Sequence, residues 1–153
     1  MIEIKNIFKS FGSSEVLIDI SAKFERGKTN LIIGQSGSGK TVLLKCLLGL
    51  YTTDDGELIY DNIYSSRMND EEKINIKKEM GMVFQGSALF DSMTVLENVR
   101  FPLDMLTKYS DAEKNEIALK FIDRVNLNDA INKLPSEISG GMQKRVGIAR
   151  AIV

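Results

Sequence analysis

The chain has 153 residues, of which 43 % are apolar and 27 % charged, enough for a sizeable core in an ordinary folded domain. Its formal net charge of −1 supplies no overall basic field for nucleic acid, and its longest strongly apolar stretch, Val42 to Tyr51, is broken by Lys45 and is too short to span a bilayer. It contains no histidine, which excludes histidine metal ligands and bases within it, and a single cysteine, Cys46, reads as a small buried hydrophobe suited to a reducing compartment.

The first residues, Met1-Ile2-Glu3-Ile4-Lys5, lack the charged-then-apolar layout of a signal peptide. Ile2 to Phe8 roughly alternates and reads as a strand, and Phe11-Gly12-Ser13-Ser14 as a turn. Val16, Ile18, Ile20, Ala22 and Phe24 alternate strictly, so Glu15 to Phe24 is expected to be a second strand with those residues on one face. Thr29 to Ile33 is expected to be a third strand, feeding a glycine-rich loop and then a helix from Val42 to Leu48. Asp54-Asp55-Gly56 is a turn, Glu57 to Tyr60 a short strand, and Asp61-Asn62 a hairpin turn. Asn69 to Glu79 reads as a short helix, and Gly81 to Phe84 as an apolar strand ending at Gln85. After a loop from Gly86 to Asp91, Thr94 to Leu106 looks helical with an interruption at Pro102. Ser110-Asp111-Ala112-Glu113 is a capping box, and the helix it opens carries Ile117, Phe121, Ile122 and Val125 on one face. A basic amphipathic helix runs from Met142 to Val153.

Chemistry concentrates at Gly34-Gln35-Ser36-Gly37-Ser38-Gly39-Lys40-Thr41-Val42, which fits the phosphate-loop pattern G-x-x-x-x-G-K-[ST]. Glycines let successive backbone N–H groups turn inward around a phosphate, and the following helix directs the positive end of its dipole at the same anion. Lys40 can reach the β- and γ-phosphates, and the Thr41 hydroxyl can ligate Mg²⁺. Two antiparallel-looking strands precede this loop, whereas many GTPases and nucleoside kinases place it after the first strand. The guanine-reading Asn-Lys-x-Asp pattern is missing, since Asn132-Lys133-Leu134-Pro135 lacks the aspartate. GTPase is the poorer reading. Ser139-Gly140-Gly141 repeats the same physics, with a serine cap and two glycines at a helix start.

With Gln85 between these two sites, the whole chain resembles the nucleotide-binding domain of ATP-binding-cassette (ABC) transporters. Gly34 to Thr41 matches Walker A, Gln85 the glutamine loop, and Ile138-Ser139-Gly140-Gly141-Met142 the signature motif, departing from Leu-Ser-Gly-Gly-Gln at its first and last positions. The segment Phe84 to Val95, with Ser-Gly-Gly-Met, looks like the ATPases of bacterial phospholipid-transport systems with MCE-type lipid-binding partners; importers of methionine or other small molecules share parts of it.

The resemblance implies an α/β fold: a P-loop NTPase core with a parallel sheet and N-terminal antiparallel strands, plus an α-helical subdomain. Residues 1–84 would form the core, 85–138 the glutamine loop and helical subdomain, and 139–153 the signature helix. It implies that Phe11 stacks on adenine, Val16 lines the ribose, Gln85 is a second metal ligand with a catalytic role beside Lys40, and Ser139, Gly140 and Gly141 bind ATP held by a second copy of the domain. A membrane permease would dock its coupling helix near Gln85–Leu106, where Leu89, Phe90, Met93, Leu103, Met105 and Leu106 look exposed, and the location would be the cytoplasmic face of a bacterial membrane. Two other classes remain: a soluble ABC ATPase without a membrane partner, and a non-catalytic nucleotide-binding module. In the family, an apolar strand ending in Asp, a catalytic Glu and a γ-phosphate-sensing histidine follow the signature helix. The sequence as given stops at Val153, so it is expected to be part of a longer ATPase, to bind ATP with little turnover, and to leave the apolar faces around Ile33 and Val83 uncovered.

Overall fold

Alternating apolar residues drive the first elements into a sheet. In the computed structural model, which describes residues 1–153, β1 (Ile2–Phe11) and β2 (Ser14–Phe24) form an antiparallel hairpin. β3 (Asp55–Tyr60) pairs with the other edge of β1, and β4 (Ile63–Tyr64) completes the order β2-β1-β3-β4. The Asp61-Asn62 turn has φ of +46° and +70°, the doubly positive geometry whose twist suits a two-residue hairpin. One face of this sheet buries Ile4, Ile7, Leu17 and Leu58 against Leu43, Cys46 and Leu47 of α1 (Lys40–Leu47).

The alternation expected in β2 is not kept along its length. Leu17 is buried and Ile18 exposed. From Ile7↔Ile20 to Lys9↔Leu17 the chain advances two residues on β1 and three on β2, so β2 carries one extra residue. Asp19 (φ +53°) and Asn6 (φ +48°) take up the kinks, and Asn6 Nδ2 donates to Asp19 Oδ1 at 2.7 Å. A single extra residue exchanges the inward and outward sets, so Ile20, Ala22 and Phe24 pack on the core while Ile18 turns outward.

Two expected strands do not form. Thr29–Ile33 and Gly81–Phe84 find no ladder partner, and Leu31 and Ile33 are 78 % and 84 % exposed. Val83 and Phe84 are exposed as well. A strand consists of hydrogen bonds to a neighbouring strand; apolar content alone cannot make one. The sheet that forms is therefore the antiparallel one, without the expected parallel strands.

The chain divides into two compact units, Met1–Glu79 and Met80–Val153. The first also contains α2 (Asp70–Lys78), opened by a reciprocal cap between Asn69 and Glu72. The second packs α3 (Val95–Leu106), α4 (Asp111–Arg124) and α5 (Gly140–Ile152) around Val95, Val99, Ala118, Ile122, Val146 and Ala149. The Ser110–Glu113 box caps α4 as its spacing predicts.

Pro102 does not interrupt α3. A mid-helix proline costs about 3 kcal/mol. Against it stand the Thr94–Glu97 capping box and the burial of Val95, Val99 and Leu103 on one face, at about 1.5–3 kcal/mol per side chain. Packing wins. The same spacing corrects the expected docking residues: Leu103 is buried, Leu89 and Met93 are half-buried, and Phe90, Met105 and Leu106 are exposed.

Candidate functional site

The phosphate loop lies in the first unit, between the exposed segment ending at Ile33 and the start of α1. Ser38 N–H donates to the Gln35 carbonyl at 3.2 Å, closing the turn, and Gly37 and Gly39 hold φ of +81° and +86°. Gly39 is the N-cap of α1 and has a second reason to be glycine. A Cβ there would stand 3.0 Å from the Val16 carbonyl oxygen and from Leu17 Cδ2, and 3.2 Å from Val16 Cγ1. The loop is thus braced directly on β2. That places half-buried Val16 against the loop, as a wall of its base.

No side chain caps α1, and its first turn contains no acidic residue. Its first N–H groups therefore face outward from a positive helix end, an arrangement that favours an anion. Lys40 Nζ folds back over the loop, donating to the Gly34 and Gln35 carbonyls at 2.8 and 2.6 Å and to Ser38 Oγ at 3.4 Å. Three neutral acceptors thus hold an ammonium on the phosphate loop. A phosphate oxygen competes well with them, because hydrogen bonds to an ionised acceptor are about twice as strong. Ser36 is exposed, and so is Thr41, the second residue of α1. No group of three or more carboxylate or thiol side chains could hold a metal ion. The exposed Thr41 hydroxyl, in the first turn of α1, is a hard oxygen ligand of the kind Mg²⁺ takes together with phosphate oxygens.

Phe11 ends β1 at the hairpin turn, where Gly12 has φ +61°, and its ring is 44 % exposed. Tyr51 meets the ring edge-on at 5.3 Å, and Lys9 Nζ sits 5.4 Å from its centroid. Lys9 is in turn fixed by Asp54 at 2.6 Å. The Lys9 hydrogen bond, then the Ser10 N–H, hold the Asp54 carboxyl below the usual aspartate range. An exposed ring with a fixed orientation can stack on a flat ligand. Tyr51 escaped the sequence reading; an aromatic directly after the Leu48-Gly49-Leu50 end of α1 was the available signal.

The second unit contains the other two motifs. Gln85 is exposed, in a turn closed by the Ser87 N–H on the Phe84 carbonyl at 3.1 Å. Ser139 caps α5, its Oγ accepting from Met142 N–H at 3.3 Å. Gly140 and Gly141 are exposed, and a Cβ on Gly140 would meet nothing within 4 Å, so the helix start is open to a ligand. Ser139 and Gln85 are not brought into contact. The loop after Gln85 lies against the far end of α5, about 16 Å along the helix from Ser139 at 1.5 Å per residue. Sequence reading also missed the residue that joins them: Arg150 Nη1 and Nη2 donate to the Ala88 and Ser87 carbonyls, both at 2.8 Å. Burial pushes the guanidinium pKa down.

Comparison with known proteins agrees with this geometry. The family described as "ABC transporter" matches residues 17–153. The L-cystine import ATP-binding protein TcyC of Bacillus subtilis (strain 168) is 40 % identical over 155 residues, covering 99 % of this chain and 63 % of that protein. The chloroplastic protein TRIGALACTOSYLDIACYLGLYCEROL 3 of Arabidopsis thaliana is 40 % identical over 154 residues, covering 100 % of this chain and 44 % of that protein. A solved dimeric ATP-binding cassette, in a post-hydrolysis state bound to ADP and Pi, is 33 % identical with a TM-score of 0.85, over 99 % of this chain and 69 % of that one. The chain therefore spans 63 % and 44 % of the two curated relatives. No helix is long and apolar enough to cross a membrane.

Proposed function

This chain belongs to the ABC transporter family, and from that premise we propose that it is the ATP-binding and ATP-hydrolysing part of a transporter's motor subunit. The observation that carries the reading is the phosphate loop, where Lys40 Nζ folds back onto the Gly34 and Gln35 carbonyls and the helix that follows has no side-chain cap. Mg²⁺-ATP would bind with its phosphates on Gly34–Lys40 and Val42, its metal on Thr41 and Gln85, and its base on Phe11 beside Val16. Ser139, Gly140 and Gly141 would close over nucleotide held by a second copy of the domain. Exposed Phe90, Met105 and Leu106 would receive a cytoplasmic segment of a membrane permease. The subunit would work at the inner face of a bacterial membrane.

For the cargo we propose phospholipid, with an MCE-type lipid-binding partner. The support is the Phe84–Val95 segment and a 40 % identical relative whose name is that of a glycolipid. Amino-acid import is the second reading, favoured by the equally similar cystine-import protein. The test of the first step is the affinity for a fluorescent ATP analogue with Mg²⁺. Lys40→Ala removes the cation aimed at the phosphates and should weaken binding at least tenfold, about 1.5–3 kcal/mol for a charged hydrogen bond. Unchanged affinity would sink the assignment. Stimulation of phosphate release in the permease complex by phospholipid, against stimulation by cystine, separates the two cargoes.

A further inference from the structure

Ser87 and Ala88, directly after the Gln85 turn, have φ of +56° and +47°. Two consecutive non-glycine residues in the left-handed region are uncommon, and such a pair persists only where its surroundings hold it. Here the surroundings are α5. The two arms of the Arg150 guanidinium donate to the two successive carbonyls, Ser87 O and Ala88 O, at 2.8 Å each. The same guanidinium lies 6.0 Å from the Phe90 ring. Ser87 is buried against Gly147, where a Cβ would come within 3.5 Å of its carbonyl oxygen. On the other side of Gln85, Gly81 lies so close to Ala151 that a Cβ would stand 1.7 Å from the Ala151 carbonyl oxygen. Gln85 is therefore carried on a span anchored at both ends to the last turns of one helix, and the exposed Ser139–Gly141 cap opens the same helix.

We infer that Arg150 is a positioning residue: its forked grip on the Ser87 and Ala88 carbonyls sets the place of Gln85 and joins the glutamine loop rigidly to the helix that begins at Ser139. The consequence for nucleotide rests on the role given to Gln85 above; the clamp itself does not. A planar guanidinium spans two carbonyls in one fixed geometry, which a lysine ammonium cannot do.

The experiment is amide hydrogen exchange on the 153-residue chain and its variants, read at Ser87, Ala88 and Phe90, whose N–H groups are bonded to Phe84, Gly86 and Asn98. Arg150→Ala should speed exchange at these positions about tenfold or more, the loss expected for two hydrogen bonds. The amides of α3 and α4 should stay within twofold. Arg150→Lys should restore only part of the protection, and it serves as the milder variant. Unchanged exchange at the three positions, or equal acceleration throughout the second unit, would overturn the clamp. A second readout is the ratio of ATP affinities with and without Mg²⁺. Gln85→Ala should lower this ratio, Arg150→Ala should lower it likewise, and the double variant should lower it no further than Gln85→Ala alone. Additive losses would overturn the proposal. A ratio indifferent to Gln85→Ala would remove the metal role of Gln85, while the exchange data would still decide the clamp.

Discussion

Replacing Gly39 by alanine should cost far more than replacing Gly37, although both have strongly positive φ. A left-handed L-residue costs about 1–2 kcal/mol, and the lost freedom of the unfolded chain returns about 0.4–1 kcal/mol. Gly37→Ala, at φ +81° with nothing within 4 Å of its Cβ, meets these terms alone and should lose about 0–1.5 kcal/mol. Gly39→Ala, at φ +86°, adds three contacts of 3.0–3.2 Å, two with Val16 and one with buried Leu17. One of them is a backbone oxygen in β2, which cannot rotate away. Overpacking of this kind costs about 1–3 kcal/mol. Subtracting the two variants cancels the φ and unfolded-state terms and leaves that overpacking energy. Urea titration followed by circular dichroism measures it as a lower midpoint at unchanged slope. Val16→Ala in the Gly39→Ala background removes the Cγ1 contact but keeps the oxygen, so it should recover only part of the loss. Equal midpoints for Gly37→Ala and Gly39→Ala would refute the bracing of the loop on β2.

Asn98→Leu should destabilise the second unit by about 2 kcal/mol or more in the same titration, since it removes the partner of the Phe90 N–H and the Met93 carbonyl at about 1–3 kcal/mol each, while the Phe90 and Thr94 carbonyls keep the N–H groups of Met93 and residue 98. The Asn98 amide accepts from Phe90 N–H and donates to the Phe90, Met93 and Thr94 carbonyls, at 2.9–3.1 Å. Asp54 has its carboxyl pKa lowered on folding, so the unfolded chain binds more protons in acid; its contribution is full above the ordinary aspartate range and disappears as the pH falls through its folded value. Asp54→Asn should therefore flatten the acid limb of stability against pH and leave the alkaline side unaltered, as read by thermal melting across that range. Ser139→Ala should lower stability by about 1 kcal/mol through loss of the α5 cap, with faster exchange of the Met142 amide as its local signature.

Where a signal is short-range, the sequence determined the outcome. The capping residues Ser110 and Glu113 act across one helical turn, and the structure keeps both bonds. The positive φ of Gly37 and Gly39 and the reach of Lys40 to the Gly34 and Gln35 carbonyls depend on residues a few positions apart, so a turn at this spacing was legible; the contact of Gly39 with Val16 and Leu17 was not. Phe11 at a hairpin end was legible for the same reason; its partners Tyr51 and Lys9 were not, because edge contact with Tyr51 depends on where α1 ends relative to the sheet.

Tertiary structure decided whatever depends on a partner distant in the chain. Apolar content marked Thr29–Ile33 and Gly81–Phe84 as strands, but a strand needs a neighbour to bond, and neither finds one. One extra β2 residue opposite Phe8 turned Ile18 outward and Leu17 inward, a change of parity that no residue type announces. Pro102 stays helical and Leu103 faces inward because the core around Val95 and Val99 outweighs one missing hydrogen bond. Arg150 looked like one more cation on a basic helix; its bonds reach carbonyls 62 and 63 residues earlier, a pairing that only folding brings about.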